Sequence, residues 1–456
     1  MTKYQLSVHE LEGATVYMAD AGDRDVLVCE GKNYFGGEDG VNTFELTHEV
    51  ANKLRELFPF TAPKPVLGYE RSIGLGDRLG IAGPGHIRVI KKYDIMPVFA
   101  QQSIRELDLT GRTYEDVLDS ATFAVFRENF TRGFGADGDH LKKAEDIEYA
   151  LSLGFSMLTL DLSEHIHGDA SGVYSQNVDD LYLGKVFEVE GHKIHFTEEE
   201  FRRVLGVYGE ALDFALELYE RFLKGGKYNC DVEISIDETD TPTKPSEHYF
   251  VASELKRRGM KVATIAPRFI GEFQKGIDYI GDPAKFDEEM QVHAAIARHF
   301  GHKVSVHSGS DKLSVFPSVG KRTNQKYHVK TAGTNWLEAM RIVAMRAPGM
   351  YREIHAFALA NFDEARKYYH VTTDINAIPD ISKLTDAELP ALFDDNNARQ
   401  LIHITYGLIL QARDKSGADR FKTRLYKFWR EHSEEYAQAL DRHIGKHLEM
   451  LGCPKA

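Results

Sequence analysis

Eight short apolar runs punctuate the chain, and each breaks off into charged or imidazole-bearing residues. They are Arg78–Ala82, Pro97–Gln101, Gly133–Asp137, Met157–Asp161, Asp231–Ile236, Val262–Pro267, Lys303–Val306 and Tyr327–Thr331. Strands buried on both faces of a parallel sheet are nearly continuous in apolar residues, so these runs predict strands. Between most of them apolar residues recur at three- and four-residue spacing, which predicts helices over Ala144–Leu153, Pro245–Arg258, Pro283–Phe300 and Asn335–Val343. The segment Thr241-Pro242-Thr243-Lys244-Pro245 supplies a helix start signal. Strands alternating with helices predict an α/β fold of the (β/α)8 TIM-type barrel, with an open doubly wound sheet as the competing architecture. Active sites of such barrels lie at the C-terminal ends of the strands, so the acids, histidines and bases collected there point to a chemical site.

The flanks depart from this rhythm. Residues 1–70 hold two strand-like runs, Ala14–Met18 and Asp25–Cys29, an amphipathic run Glu45–Leu57 and a proline-rich linker, Pro59–Pro65. They predict a small N-terminal α/β subdomain ahead of a barrel over 71–345. Residues 164–230, after the fourth strand, are too many for a simple connection. They predict an insertion with a hairpin (Leu181–Phe187, Lys193–Phe196) and a helix Glu198–Leu223, expected to shape the pocket. From 346 to 456 the pattern is helical, with long amphipathic segments Arg399–Gln411 and Phe421–Leu451. These predict a C-terminal helical extension packed on the barrel.

Composition narrows the class. The 456 residues are 42% hydrophobic and 28% charged, a globular balance. A net charge of −14 argues against a nucleic-acid partner, because phosphate binding wants a basic face. Cys29, Cys230 and Cys453 are far apart, which predicts neither a disulfide framework nor a thiolate zinc site and favours a cytoplasmic location. Met1–Glu12 lacks the pattern of a signal peptide, and no apolar stretch is long enough to span a bilayer, so no membrane partner is expected. Self-association into a homo-oligomer is compatible with the sequence.

The strand ends carry the chemistry. His307 follows Lys303–Val306 directly and reads either as a metal ligand or as a structural histidine. Asp139-His140 ends the third strand, and both can serve one site only if the backbone twists there, since neighbours on an extended chain face opposite ways. Glu233 lies inside the fifth strand, where a charge is costly unless paired or metal-bound, and Ser235 and Asp237 share its parity. It reads as a proton donor or metal ligand, or as a core ion pair to Arg268 or a lysine. Arg268, Lys275, Lys312, Lys330 and Lys142 follow strands and read as an anion pocket, or singly as a solvated rim. Gly74-Leu75-Gly76-Asp77-Arg78-Leu79-Gly80 imitates a dinucleotide fingerprint, but the glycines precede the predicted strand, so a turn entering that strand is the better reading. Of His165-Ile166-His167, His167 reads as surface and His165 as a weak pocket candidate.

Several strings together resemble the tagaturonate epimerase family. They are Phe99–Ser103, Gly135–His140, Asp237–Thr243, Arg268–Glu272, His307–Lys312 and His328–Thr334, continued by Arg399–Gly407 in the C-terminal helices. The likeness runs from about residue 70, with the first 70 residues resembling the family only loosely. The resemblance implies interconversion of D-tagaturonate and D-fructuronate with a divalent metal, which the residues leave open between Zn, Mn, Co and Ni. It implies Asp139 as proton acceptor, Glu233 as proton donor, and His140 and His307 as metal ligands, with Glu272 in the Glu272–Lys275 segment as a further ligand. Ser103, Arg268, Lys275 and Lys312 are expected to contact the small-molecule keto-uronate. Because the two epimers differ at a carbinol β to the ketone, a retro-aldol route is expected. The alternatives are a metal-dependent isomerase or aldolase acting on a related keto-sugar, and a non-catalytic sugar-acid-binding barrel.

Overall fold

In the computed structural model, which describes residues 1–456, eight parallel strands close into a barrel. The strands are β1 (Arg71–Gly76), β2 (Met96–Ser103), β3 (Gly135–Leu141), β4 (Met157–Asp161), β5 (Asp231–Ile236), β6 (Thr264–Pro267), β7 (Lys303–Val306) and β8 (Tyr327–Ala332). Closure comes from β8 pairing with β1, Tyr327 opposite Arg71 through Ala332 opposite Gly76. The open sheet is thereby excluded. Four helices fall close to their predicted spans: Ala144–Ser152, Pro245–Arg257, Pro283–Phe300 and Thr334–Arg346. No helix is long and apolar enough to cross a membrane. The three cysteines are free.

The first strand is Arg71–Gly76 rather than Arg78–Ala82. Two of the three glycines, Gly74 and Gly76, are inside it, because the buried Gln101 carboxamide of β2 fills the space a Cβ on Gly74 would take. Residues after the strand turn around Asp77, whose carboxylate accepts from the backbone N–H groups of Leu79, Gly80 and Ala82. The twist required at Asp139-His140 is present inside β3. The register of β3 against β4 shifts between Gly138 and Leu141, and His140 takes a φ of +54°. This bulge re-aims one side chain within a strand end.

The N-terminal subdomain is an antiparallel sheet centred on Ala14–Asp20, covered by helix His48–Leu57. Val16, Met18 and Leu27 of the sheet bury with Ala51 and Leu54 of that helix against Phe123 and Phe126 of helix Tyr114–Arg127, which docks the subdomain on the barrel's outer layer. The linker folds tightly, with Pro59–Thr61 forming a single 3-10 turn. The insertion contains the hairpin Val186–Val189/His192–His195 and the helix Glu198–Phe222. It does not shape the pocket. Tyr174 and Tyr182 hydroxyls each donate at 2.7 Å to the buried Glu254 on helix Pro245–Arg257, so the insertion spends its apolar face on the barrel's flank.

The C-terminal extension breaks both long predicted segments, into Asn396–Ile404 with Tyr406–Gln411 and Lys422–Glu431 with Ser433–Met450. Its core centres on Trp336 and Trp429, whose indoles donate to the carbonyls of Ile402 and Ala339. One loop of this extension, Tyr368–His370, reaches the mouth of the barrel.

Candidate active site

A cavity of about 400 Å³ opens at the C-terminal ends of the strands. One end is acidic. Lys330, inside β8, points its ammonium at carboxylates from two other strands, 2.7 Å from Asp137, 2.7 Å from Asp139 and 2.8 Å from Glu233, and it also bonds Thr159. The other Glu233 oxygen accepts from Thr264 at 2.6 Å. His307 Nε2 lies 2.6 Å from Glu233, and His307 Nδ1 lies 3.2 Å from Asp237. The rings of His140 and His307 stand edge to face with centroids 5.0 Å apart.

Burial pushes all of these carboxyls up, and the neighbouring cations decide which yields. Lys330 and His307 hold Glu233 well below the usual carboxylate range. Lys330 and the two histidines likewise hold Asp139 low. Asp137 goes the other way, to about 6, because burial and the charges of Asp139 and Glu233 outweigh its share of Lys330. Burial opposes charge on His307, yet Asp237 and Glu233 overcome it and raise the imidazole to about 10.

The donor set suits a divalent cation. Asp161 sits 3.2 Å from His140 Nδ1, fixing the ring so that its Nε2 faces Asp139 at 3.9 Å. A carboxylate orienting a metal-bound histidine from behind is the usual arrangement around such ions. His307 Nδ1 is buried without a well-formed hydrogen bond, Asp237 being its nearest acid. His140, Asp161 and Glu238 also bring ligand atoms within 4.8 Å of one another. Glu272 lines the cavity but belongs elsewhere. Its carboxylate takes a hydrogen bond from Gln274 and lies 3.5 Å from the exposed His370, and it makes no contact with His140 or His307. The loop carrying it bends outward to pair Glu272 with Ile280, which the strand-end spacing did not signal.

The other end of the cavity is cationic. Lys275, half-buried, donates to Ser308 at 3.1 Å and has no acidic partner. Burial lowers its ammonium, and nearby Arg105 and Arg78 add to that against the pull of Glu106. Arg268 and Ser103 line the same cavity, the Ser103 hydroxyl also capping helix Ile104–Thr110. Lys312 does not line it. Its ammonium is fully buried beneath the Lys275 loop and donates to the carbonyls of Gln274, Ile277 and Ser310 at 2.6–2.9 Å, so no proton is left for a substrate. His165 is not a pocket residue either. It stacks on Phe214 and shares Glu210 with His167. Lys142 lies at the edge, bonded to Ser163 and 3.7 Å from Asp161.

The family model described as UxaE, tagaturonate epimerase, matches residues 4–451 of this chain, the N-terminal subdomain included. The chain belongs to the tagaturonate epimerase family. It is 41% identical over 471 residues to a tagaturonate/fructuronate epimerase of Thermotoga maritima, covering 98% of this chain and 96% of that protein. The crystal structure of the fructuronate-tagaturonate epimerase UxaE from Cohnella laeviribosi, complexed with glycerol, superposes with a TM-score of 0.96 at 50% identity, covering 99% of this chain and 96% of that one. The native form of the same enzyme gives a TM-score of 0.95 at 49% identity. Membership makes the protein an enzyme of the isomerase class, and the barrel with its extra helices is the fold of the family.

Three features of this cavity escaped the sequence: the hub formed by Lys330, the Asp161 support behind His140, and Arg105. Lys330, expected in an anion pocket, is instead occupied by three carboxylates, and it carried the same signal as Glu233, a charge within an apolar strand.

Proposed function

We propose that the protein interconverts D-tagaturonate and D-fructuronate, and that it does so with a divalent metal and by retro-aldol chemistry. The observation that carries this reading is the polarity of one cavity. Its acidic end joins two histidines to two carboxylates that share one lysine, and its cationic end is short of anions. A keto-uronate has the matching polarity, a ketone with neighbouring hydroxyls at one end and a carboxylate at the other.

His140 and His307, with Asp139 and Asp237 beside them, would hold the metal. Bound there, a divalent cation supplies Lewis-acid stabilisation of negative charge developing on the ketone oxygen. The hydrogen on the epimerised carbinol is not acidified by a ketone two carbons away, so direct proton abstraction there is ineffective. Asp139 instead accepts the hydroxyl proton, and the electron pair of that O–H bond becomes the aldehyde C=O as the adjacent carbon–carbon bond breaks. The aldehyde then turns its other face, the bond re-forms, and Glu233, ionised at rest, passes back to the oxygen the proton that Asp139 took, relayed by Lys330, which touches both carboxylates. Lys330, touching both carboxylates, keeps them in place on either side of the reacting oxygen. Cleavage leaves the carboxylate on the aldehyde fragment, so Lys275 holds the piece that must rotate.

The test is incubation of the purified protein with D-fructuronate, with products followed by NMR before chelation, after chelation and after metal is restored. The expected outcome is D-tagaturonate alone, lost on chelation and recovered with metal. An aldose or accumulating aldehyde fragments would replace this reading with an isomerase or an aldolase. Loss of deuterium from the epimerised carbon to water would overturn the retro-aldol route.

A further inference from the structure

Besides Arg268, three cations gather at the cationic end of the cavity, Arg78, Arg105 and Lys275, and of these three only Arg78 is ion-paired, to Glu106. Arg78 is fully buried and takes that carboxylate, donating through Nε at 2.9 Å and through a terminal nitrogen at 2.7 Å to one oxygen of Glu106. Lys275 and Arg105 both line the cavity, and neither has an acid within ion-pair distance. Two cations facing a shared cavity without an anion repel each other, and a half-buried ammonium without a counter-ion is destabilised by lost hydration. A ligand carboxylate relieves both conditions at once.

The arginines are set by aromatic rings of the C-terminal extension. The Tyr406 ring lies 3.8 Å from the Arg78 guanidinium and the Tyr369 ring 5.0 Å from that of Arg105. The two tyrosine hydroxyls are hydrogen-bonded to each other at 3.0 Å. Arginine favours such aromatic faces, and stacking restricts its side chain while leaving the N–H groups at the edge free to bind a carboxylate. The extension therefore reaches into the site through the neighbours Tyr368, Tyr369 and His370, all of which line the cavity.

Resting on the keto-uronate reading of this site, we propose that Arg105 and Lys275 form a two-point grip for the substrate carboxylate. In this arrangement Tyr369 positions Arg105, so that the C-terminal extension confers preference for keto-acids over neutral ketoses. Lys275 comes from the loop after β6 and Arg105 from the first turn of helix Ile104–Thr110, which follows β2, so the grip spans the cavity mouth and leaves the other end of the sugar toward the acidic cluster.

The experiment compares kcat and KM for the keto-uronate and for the neutral ketohexose of the same configuration in the wild type, Arg105→Ala, Arg105→Lys, Tyr369→Leu, Tyr369→Phe and Arg268→Ala. Loss of one charge-assisted contact is worth about tenfold or more. Arg105→Ala is expected to lower the uronate-to-neutral ratio of kcat/KM by at least that factor, mainly through KM for the uronate, and Arg105→Lys to restore part of it. Tyr369→Leu lowers the ratio less, and Tyr369→Phe, which keeps the ring, rescues it. A ratio unchanged in Arg105→Ala, a loss shared equally by both sugars, or a collapse seen only in Arg268→Ala overturns the proposal. Wild-type turnover of the keto-uronate reads the underlying activity separately. If that fails, calorimetric titration with D-galacturonate and D-galactose still decides the grip: it requires binding of the acid alone, weakened in Arg105→Ala and in Lys275→Ala.

Discussion

Lys330 Nζ and Asp139 Oδ1 lie 2.7 Å apart, although they sit on β8 and β3, strands that are not neighbours in the barrel. The same ammonium touches Asp137 and Glu233, so one lysine is the shared partner of three buried carboxylates. Removing one partner from a buried charge cluster costs about 3–5 kcal/mol. Lys330→Met is expected to lose about that much stability in urea denaturation at neutral pH, together with turnover. A variant as stable as the wild type would remove Lys330 from the centre of the site.

Asp139→Asn and Glu233→Gln keep the shape of each side chain and remove its proton chemistry. Each is expected to lower kcat by about 10²–10⁴, the range of positioned acid–base groups. Because the two act on one oxygen, the double variant should lose little more than either single one. Multiplicative losses in steady-state kinetics would show that they work independently.

Lys312→Met leaves three loop carbonyls without their buried donor, at about 1–3 kcal/mol for each group that cannot re-pair. Since two of those carbonyls, Gln274 and Ile277, flank Lys275, the expected result is lower thermal stability with a raised KM for the keto-uronate. A normal KM at reduced stability would mean that the loop keeps its shape without the lysine.

Acid sensitivity should arise at a histidine cluster that does not line the cavity. His248 Nδ1 lies 2.9 Å from His293 Nδ1, and His248 Nε2 lies 3.0 Å from His302 Nε2, all buried. Burial lowers His293 to about 4 and His302 to about 3, with the charge of Lys256 adding to the latter, and it lowers His248 well below its ordinary value. In the unfolded chain the same imidazoles take protons near pH 6.5. Between those limits the unfolded state binds more protons, so stability is full above about 6.5 and falls as the pH drops toward 4. Urea midpoints measured from pH 7 to pH 4 should decline, and His293→Gln should flatten the decline. An unchanged slope in that variant would place the sensitivity in other groups.

What the sequence determined by itself is local. The apolar period, the helix starts and the charges at strand ends gave the barrel and the order of its elements, because each follows from which side chains can be buried on a short stretch of chain. Asp139, His140, Glu233 and His307 were legible for the same reason, as polar groups at or within strands that should otherwise be apolar. Glycine concealed β1, since the residue that packs against Gly74 is Gln101, from another strand. Loop residues were legible only as residue types. Glu272 turns to the rim and Lys312 turns under the floor, although both follow strands as Lys275 does. Only the tertiary structure decided that Lys330 bridges Asp139 and Glu233 and that a C-terminal tyrosine reaches Arg105. Both relationships join distant parts of the chain, brought within a few ångströms by barrel closure and by packing of the extension, which no local spacing encodes.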